Sequence, residues 1–155
     1  MIEVTRANGC IVISLEVPGI LECRDMVLRT VSAACKLVIP GSRSRRSRFS
    51  EFTAHLVSAV GEAYNNIVLH GYAGREEPGS IQIRIENRPE SVQIMMKDTG
   101  MSYDPAQAPP PDLDSLPESG LGVFIMRSFV DEVHYVPGSP NVLTLIKRIP
   151  EQPRK

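Results

Sequence analysis

Residues 49–70 read FSEFTAHLVSAVGEAYNNIVLH and residues 81–98 read IQIRIENRPESVQIMMKD. The change of period between these two stretches sets the fold. In the first, Phe52, Leu56, Ala59, Val60, Ala63 and Ile67 recur at helical spacing with no interior proline, which predicts a long helix with one apolar face. In the second, Ile81, Ile83 and Ile85, then Val92, Ile94 and Met96, alternate with mostly polar neighbours, the period of half-buried strands. Asn87-Arg88-Pro89-Glu90 joins them as a hairpin. Gly71 follows the last periodic residue and reads as the helix stop, with Gly74, Pro78 and Gly79 continuing a loop.

Toward the N-terminus, Ile11, Ile13, Leu15 and Val17 predict a strand over 10–17, ended by Pro18-Gly19. Val27, Leu28, Val31, Ala34, Cys35 and Val38 predict an amphipathic helix over 21–38, stopped by Pro40-Gly41. The basic run GSRSRRSR at 41–48 reads as a solvated loop, with a docking patch for an acidic partner or phosphate as the alternative. Toward the C-terminus, residues 101–119 hold five of the 13 prolines, so they form neither helix nor inner strand. A loop of that length in a compact domain is typically a lid or a binding loop. Ser119 then reads as a helix cap, and Leu121, Phe124, Ile125 and Phe129 as apolar residues of the following helix. Val130 to Val136 turns into a strand, and VLTLIKRI is the last one. This element order predicts an α/β fold: an α+β two-layer sandwich, with helices on one face of a mixed, mostly antiparallel sheet, in one domain over 1–155.

At 155 residues and 42% hydrophobic, the chain suits one core rather than two. Lys+Arg 17 against Asp+Glu 18 leaves a net charge of -1, so no global basic field exists to hold nucleic acid or an anionic membrane surface directly. No apolar run approaches the roughly 20 residues that span a bilayer, and the N-terminus lacks the pattern of a signal peptide. A cytoplasmic protein is expected. Cys10, Cys23 and Cys35 lack the spacing of a zinc or redox motif and read as reduced, buried small hydrophobes. Neither a Rossmann fingerprint, a P-loop nor a Gly-x-Ser-x-Gly elbow is present, and His55 and His134 have no partner at metal or triad spacing.

Glu62, Asn66 and His70, spaced by four, share one flank of the long helix. Alone, such a trio is usually satisfied by internal hydrogen bonds or by exposure. It also offers chemistry: an amide oxygen at Asn66 suits Mg²⁺, and the Glu62 carboxylate can accept a proton from an attacking hydroxyl or water. Asp98 shares parity with Val92, Ile94 and Met96, so it faces the helix-covered side. A carboxylate buried there needs a donor, and the exocyclic amine of adenine is one. Gly100 lets a backbone approach a flat base, although Asp-Thr-Gly alone is most often a turn closing a strand. Gly120-Leu121-Gly122 at a helix start places backbone N–H groups and the positive helix end beside a glycine turn, a setting suited to phosphates.

In order and separation these features resemble a known family. EAYNNIVLH (62–70) resembles the N-box of the GHKL (Bergerat-fold) ATPases, DTGMSYDP (98–105) their first glycine box, and ESGLGVFIMRSFVDEV (118–133) the glycine box at the end of the lid. Over nearly its whole length the chain is similar to the anti-sigma-factor serine kinases, small bacterial members acting in partner-switching circuits. The resemblance implies a Bergerat fold with ATP and Mg²⁺ as cofactors. It implies that Glu62 activates the acceptor serine, that Asn66 holds the Mg²⁺, and that Asp98 recognises the adenine amine above Gly100, with Thr144 assisting through its hydroxyl or a water. Gly120, Leu121 and Gly122 would supply amides to the phosphates, His70 would lie near the lid or the phosphates, and 101–119 would be the lid. The implied partners are a STAS-domain anti-anti-sigma factor as substrate, a sigma factor in the competing state, and a second copy in a homodimer. A non-catalytic, nucleotide-dependent binding module would use the same pocket, and ATP hydrolysis without a protein acceptor is a third reading. One departure stands out: Ser102 occupies a position where many relatives carry a second glycine.

Overall fold

The computed structural model describes residues 1–38, 46–103, 114 and 121–151. Six strands form one sheet: β1 (Ile2–Ala7), β2 (Cys10–Pro18), β3 (Ser80–Asn87), β4 (Ser91–Asp98), β5 (Glu132–Val136) and β6 (Asn141–Arg148). Their order is β1-β2-β3-β4-β6-β5. Every neighbouring pair is antiparallel, so the expected mixed sheet is corrected to a purely antiparallel one. The physical reason lies in the connections: β1–β2, β3–β4 and β5–β6 are hairpins, and the helical excursions bring the chain back in the direction that pairs antiparallel.

Strand β1 goes beyond the sequence expectation. Its residues are exposed, so it carries only a weak hydrophobic alternation. The signal that marks it is the turn: Asn8 and Gly9 both have positive φ, 52° and 78°, the geometry that favours Asn-Gly in two-residue hairpins.

Helix α1 (Arg24–Lys36) follows a 3-10 turn at Leu21–Cys23, and buries Val27, Val31, Ala34 and Cys35. Helix α2 (Arg46–Asn66) buries Phe52, Leu56, Ala59, Val60 and Ala63 against the sheet, the face its period specifies. Its C-terminal end departs from the expected glycine stop. The helix widens into a π turn over Ile67–Gly71, in which Tyr72 N–H donates to Ile67 O at 3.0 Å. Gly71 is buried, and the left-handed backbone conformation falls on Gly74 instead. Helix α3 (Leu121–Phe129) buries Val123 and Met126, whereas Leu121 and Phe124, two of the apolar residues that mark the helix in the sequence, are exposed. The helix is apolar on most of its circumference, so period alone did not select its buried side.

The three helices cover one face of the sheet, where Ile13, Leu15, Ile81, Ile83, Ile85, Ile94, Met96 and Leu145 meet them in one core. Polar bonds fix the layers. Tyr64, buried on α2, donates its hydroxyl to Ile20 O at 2.7 Å, and burial pushes its pKa up to about 12. Asn87 Nδ2 donates to Ala34 O at 2.8 Å, tying β3 to the end of α1. Lys147 Nζ donates to Phe129 O at 2.7 Å, placing a cation on the C-terminal end of α3. Of the cysteines only Cys35 is fully buried; Cys10 and Cys23 are half-buried, and all three are free. The proposed stop at Pro40-Gly41, the cap at Ser119, residues 41–45 of the basic run, and all of 104–119 except Asp114 lie outside the described residues.

Candidate active site

The last turns of α2, the end of β4 and the start of β6 meet on the helix-covered side of the sheet. Ala63, Asn66, Ile67, Gly71, Asp98, Met101, Tyr103, Met126, Tyr135 and Leu143 line one cleft there, of about 30 Å³. That volume suits a water or two, and the exposed side chains of Met101 and Tyr103 form part of its lining. Asn66 and Asp98, 32 positions apart in the sequence, thus share one cavity.

Asp98 is 6% exposed at the end of β4. Its Oδ1 accepts from Gly100 N–H at 2.8 Å and from Asn141 Nδ2 at 3.1 Å, while Oδ2 takes no bond from any described residue. An oxygen held that way can accept from an amine on a ligand. Beside it, Gly100 packs directly on the π turn: a Cβ at Gly100 would lie 2.7 Å from the carbonyl carbon and oxygen of Gly71. Met101 N–H donates to that same Gly71 oxygen at 2.8 Å.

Tyr72 explains how the two segments stay in register. Its ring fills the space between Gly19 and Gly79, where a Cβ at either glycine would collide with it. Its hydroxyl donates to Ser80 O at 2.8 Å and accepts from Thr99 N–H at 3.2 Å. Arg75 lies over the ring, 5.3 Å from its centroid, and donates to Thr99 O at 2.8 Å. The residue after Asp98 is therefore held on both its amide and its carbonyl.

Glu62 lies one turn before Asn66 and is half-buried against the start of α3, where a Cβ on Gly122 would run into Glu62 Oε2. Neither Glu62 nor Asn66 makes a side-chain hydrogen bond with a described residue, so both can serve a ligand. His70 is exposed on the rim, its ring 6.3 Å from that of Tyr103. Leu121 opens α3 and is exposed; Gly120 lies outside the described residues.

Thr144 is not brought to the site. It pairs with Met95 on β4 and with His134 on β5, and paired residues share a face, so Thr144 is on the open side of the sheet, opposite Asp98. The β6 residue across from Asp98 is Asn141. Sequence reasoning missed Asn141, although its parity with Leu143 and Leu145 places it on the covered face once the strand is started one residue earlier. It missed the packing role of Tyr72 as well, for which no local signal exists.

Among the described residues no group of three or more His, Cys, Asp or Glu could hold a metal ion. A cation here would rest on the Asn66 oxygen, waters and the oxygens of a ligand, which fits a hard ion such as Mg²⁺. Among the described residues, no helix is long and apolar enough to cross a membrane.

Residues 28–147 match the family model of the histidine kinase-like ATPase domain. The chain belongs to that family. The match to the ATPase domain runs from α1 into β6 and takes in every site segment described above, and a domain of this kind implies ATP binding. The chain is similar to serine-protein kinase RsbW of Bacillus pumilus, 30% identical over 121 residues, covering 72% of this chain and 75% of the relative. It is similar to serine-protein kinase RsbW of Staphylococcus aureus, 30% over 125 residues, covering 76% and 79%. For serine-protein kinase RsbW of Bacillus licheniformis the figures are 29% over 107 residues, covering 64% of this chain and 66% of the relative. Among solved structures, the RsbU and RsbW domains of Rv1364c from Mycobacterium tuberculosis align with a TM-score of 0.59 at 17% identity. That alignment covers 87% of this chain and 32% of the solved one, and shows a shared fold.

Proposed function

We propose that this chain, as one domain over 1–155, is an anti-sigma factor and protein-serine kinase that transfers the γ-phosphoryl group of ATP to a serine of a STAS-type anti-anti-sigma partner in the bacterial cytoplasm. The observation that supports it is convergence: Asn66 and Asp98 line one cleft, and Glu62, on the same helix as Asn66, abuts Gly122 at the start of α3. Bound ATP with Mg²⁺ supplies the transferable phosphoryl group and neutralises its charge. Asp98 accepts a hydrogen bond from the base amine through Oδ2, over a floor made by Gly100 and Gly71. Asn66 offers its amide oxygen to the cation. The backbone N–H groups at Leu121 and Gly122 meet the phosphates at the positive end of α3. Glu62 takes the proton from the serine hydroxyl as that oxygen attacks phosphorus and the bond to the β-phosphate oxygen breaks. Phosphoryl transfer asks mainly for positioning and charge stabilisation, which this short list supplies.

The reading also places a sigma factor and a second copy of the chain among the partners. A phosphoserine adds about two negative charges, enough to break an interface by repulsion and desolvation. The deciding experiment incubates the chain with labelled ATP, Mg²⁺ and STAS proteins encoded beside its gene. Transfer of label that Glu62→Ala abolishes while nucleotide binding persists supports the kinase. Bound nucleotide with no transfer to any of these proteins overturns it in favour of a binding module.

A further inference from the structure

Asn141 belongs to none of the three boxes, yet it is 1% exposed and its amide makes four hydrogen bonds beside the cleft, one of them to Asp98 in its lining. Nδ2 donates to Asp98 Oδ1 at 3.1 Å and to Gly100 O at 3.0 Å. Oδ1 accepts from Ser102 Oγ at 2.6 Å and from Gly138 N–H at 3.0 Å. A primary amide has two N–H donors and two lone pairs, so its capacity is filled. The chemistry also fixes which end is which, because the Gly138 amide can only donate and the Gly100 carbonyl can only accept. Asn141 is therefore a donor to Asp98, and together with Gly100 N–H it places two donors on Oδ1.

We propose that Asn141 is the positioning residue of the base site: it clamps one oxygen of Asp98, so that the other faces the exocyclic amine of adenine. Through Ser102 it ties that carboxylate to residues 101–103, of which Met101 and Tyr103 line the cleft. The inference rests on the ATP reading and deepens it. A carboxylate free to rotate presents either oxygen at any angle, whereas one held at Oδ1 offers Oδ2 in a fixed direction. The site then rewards a donor at that point of the base. Ser102 gains a reason from the same bond. With glycine at 102, Asn141 Oδ1 would keep one donor instead of two, and the amide would be held against Asp98 by three bonds instead of four.

The test measures equilibrium binding, with Mg²⁺, of ATP and of purine riboside triphosphate, which differs from ATP only by lacking the amine. It compares the whole wild-type chain, Asn141→Ala and Ser102→Ala, with folding followed by circular dichroism. The wild type is expected to prefer ATP. Asn141→Ala is expected to lower that preference by about tenfold, the value of one hydrogen bond to a charged group, with purine riboside triphosphate bound as before. Ser102→Ala removes one neutral bond further out and is expected to lower it by about threefold. A residue that merely supported the fold would weaken both ligands in parallel. A preference unchanged in folded Asn141→Ala overturns the inference, as does one unchanged in Ser102→Ala if the first variant does not fold. A wild-type chain that binds both ligands equally overturns the adenine reading and this inference together, whereas a wild-type preference that both variants keep overturns this inference alone.

Discussion

Gly100→Ala puts the strongest strain on the proposed site, because the atoms it would strike are backbone. The new Cβ would lie 2.7 Å from the carbonyl carbon and oxygen of Gly71 and 2.9 Å from its Cα, where 3.4–4 Å is ordinary contact. Neither side can yield by turning a side chain. Gly71 sits inside the π turn and its oxygen holds Met101 N–H, so relief requires the end of β4 to part from the end of α2. Overpacking of this kind costs about 1–3 kcal/mol, and the lost Met101 bond about 1 more. For a chain of this size that total corresponds to a fall in Tm of about 5–15 °C. Because the parted surfaces form the proposed floor under the base, ATP affinity is expected to fall by at least about tenfold, which is about 1.4 kcal/mol. Thermal melts followed by circular dichroism and calorimetric titration with ATP measure the two effects. Gly74→Ala is the control: its φ of +74° strains an alanine by about 1 kcal/mol, but open space surrounds it, so ATP affinity stays at the wild-type value. A Gly100→Ala chain that melts within 2 °C of wild type and binds ATP equally well, thresholds of about one unit of measurement error, would refute the packing argument.

Tyr72→Phe keeps the ring between Gly19 and Gly79 but strips the hydroxyl from Ser80 O and Thr99 N–H. Urea denaturation should show a loss of about 1–2 kcal/mol, and no loss would mean that water replaces the hydroxyl freely. Thr144→Val changes the open face of the sheet, so ATP affinity should remain within about twofold, far less than the value of one bond to a charged group. A tenfold loss would show that the face assignment is wrong. Burial pushes the Cys35 thiol up to about 11, from 9.0 for an unperturbed thiol. A folded value above the unfolded one means that this contribution to stability is whole below pH 9 and is lost as pH rises toward 11. Cys35→Ala should therefore flatten the alkaline limb of a stability–pH curve. At pH 8, a value chosen as about that of a standard labelling buffer, a thiol reagent should label Cys10 and Cys23 well before Cys35. Equal rates at all three would contradict the burial.

Much of this protein is local in origin and so was legible from residue order alone. Helical period sets the buried face of α2, strand period sets β3 and β4, and parity with Met96 turns Asp98 inward, since a side chain's direction depends on its own backbone and near neighbours. The GHKL-like boxes were likewise readable as strings, and the family match covers them. The turn Asn8-Gly9 carried the evidence for β1, although the exposed strand beside it carried little. What residue order left open depends on contacts between distant segments. The register of β4 on β6 brings Asn141 rather than Thr144 opposite Asp98, and no property of either residue alone reveals it. The π turn forms where Gly71 must reach Gly100, a contact across 29 positions that a helix-stop rule does not contain. Glu62 meets Gly122 only because α2 and α3 lie side by side over the sheet. Local period told each side chain which way to face; tertiary packing chose the group it would find there, because pairing register and helix contacts are set by the free energy of the whole core.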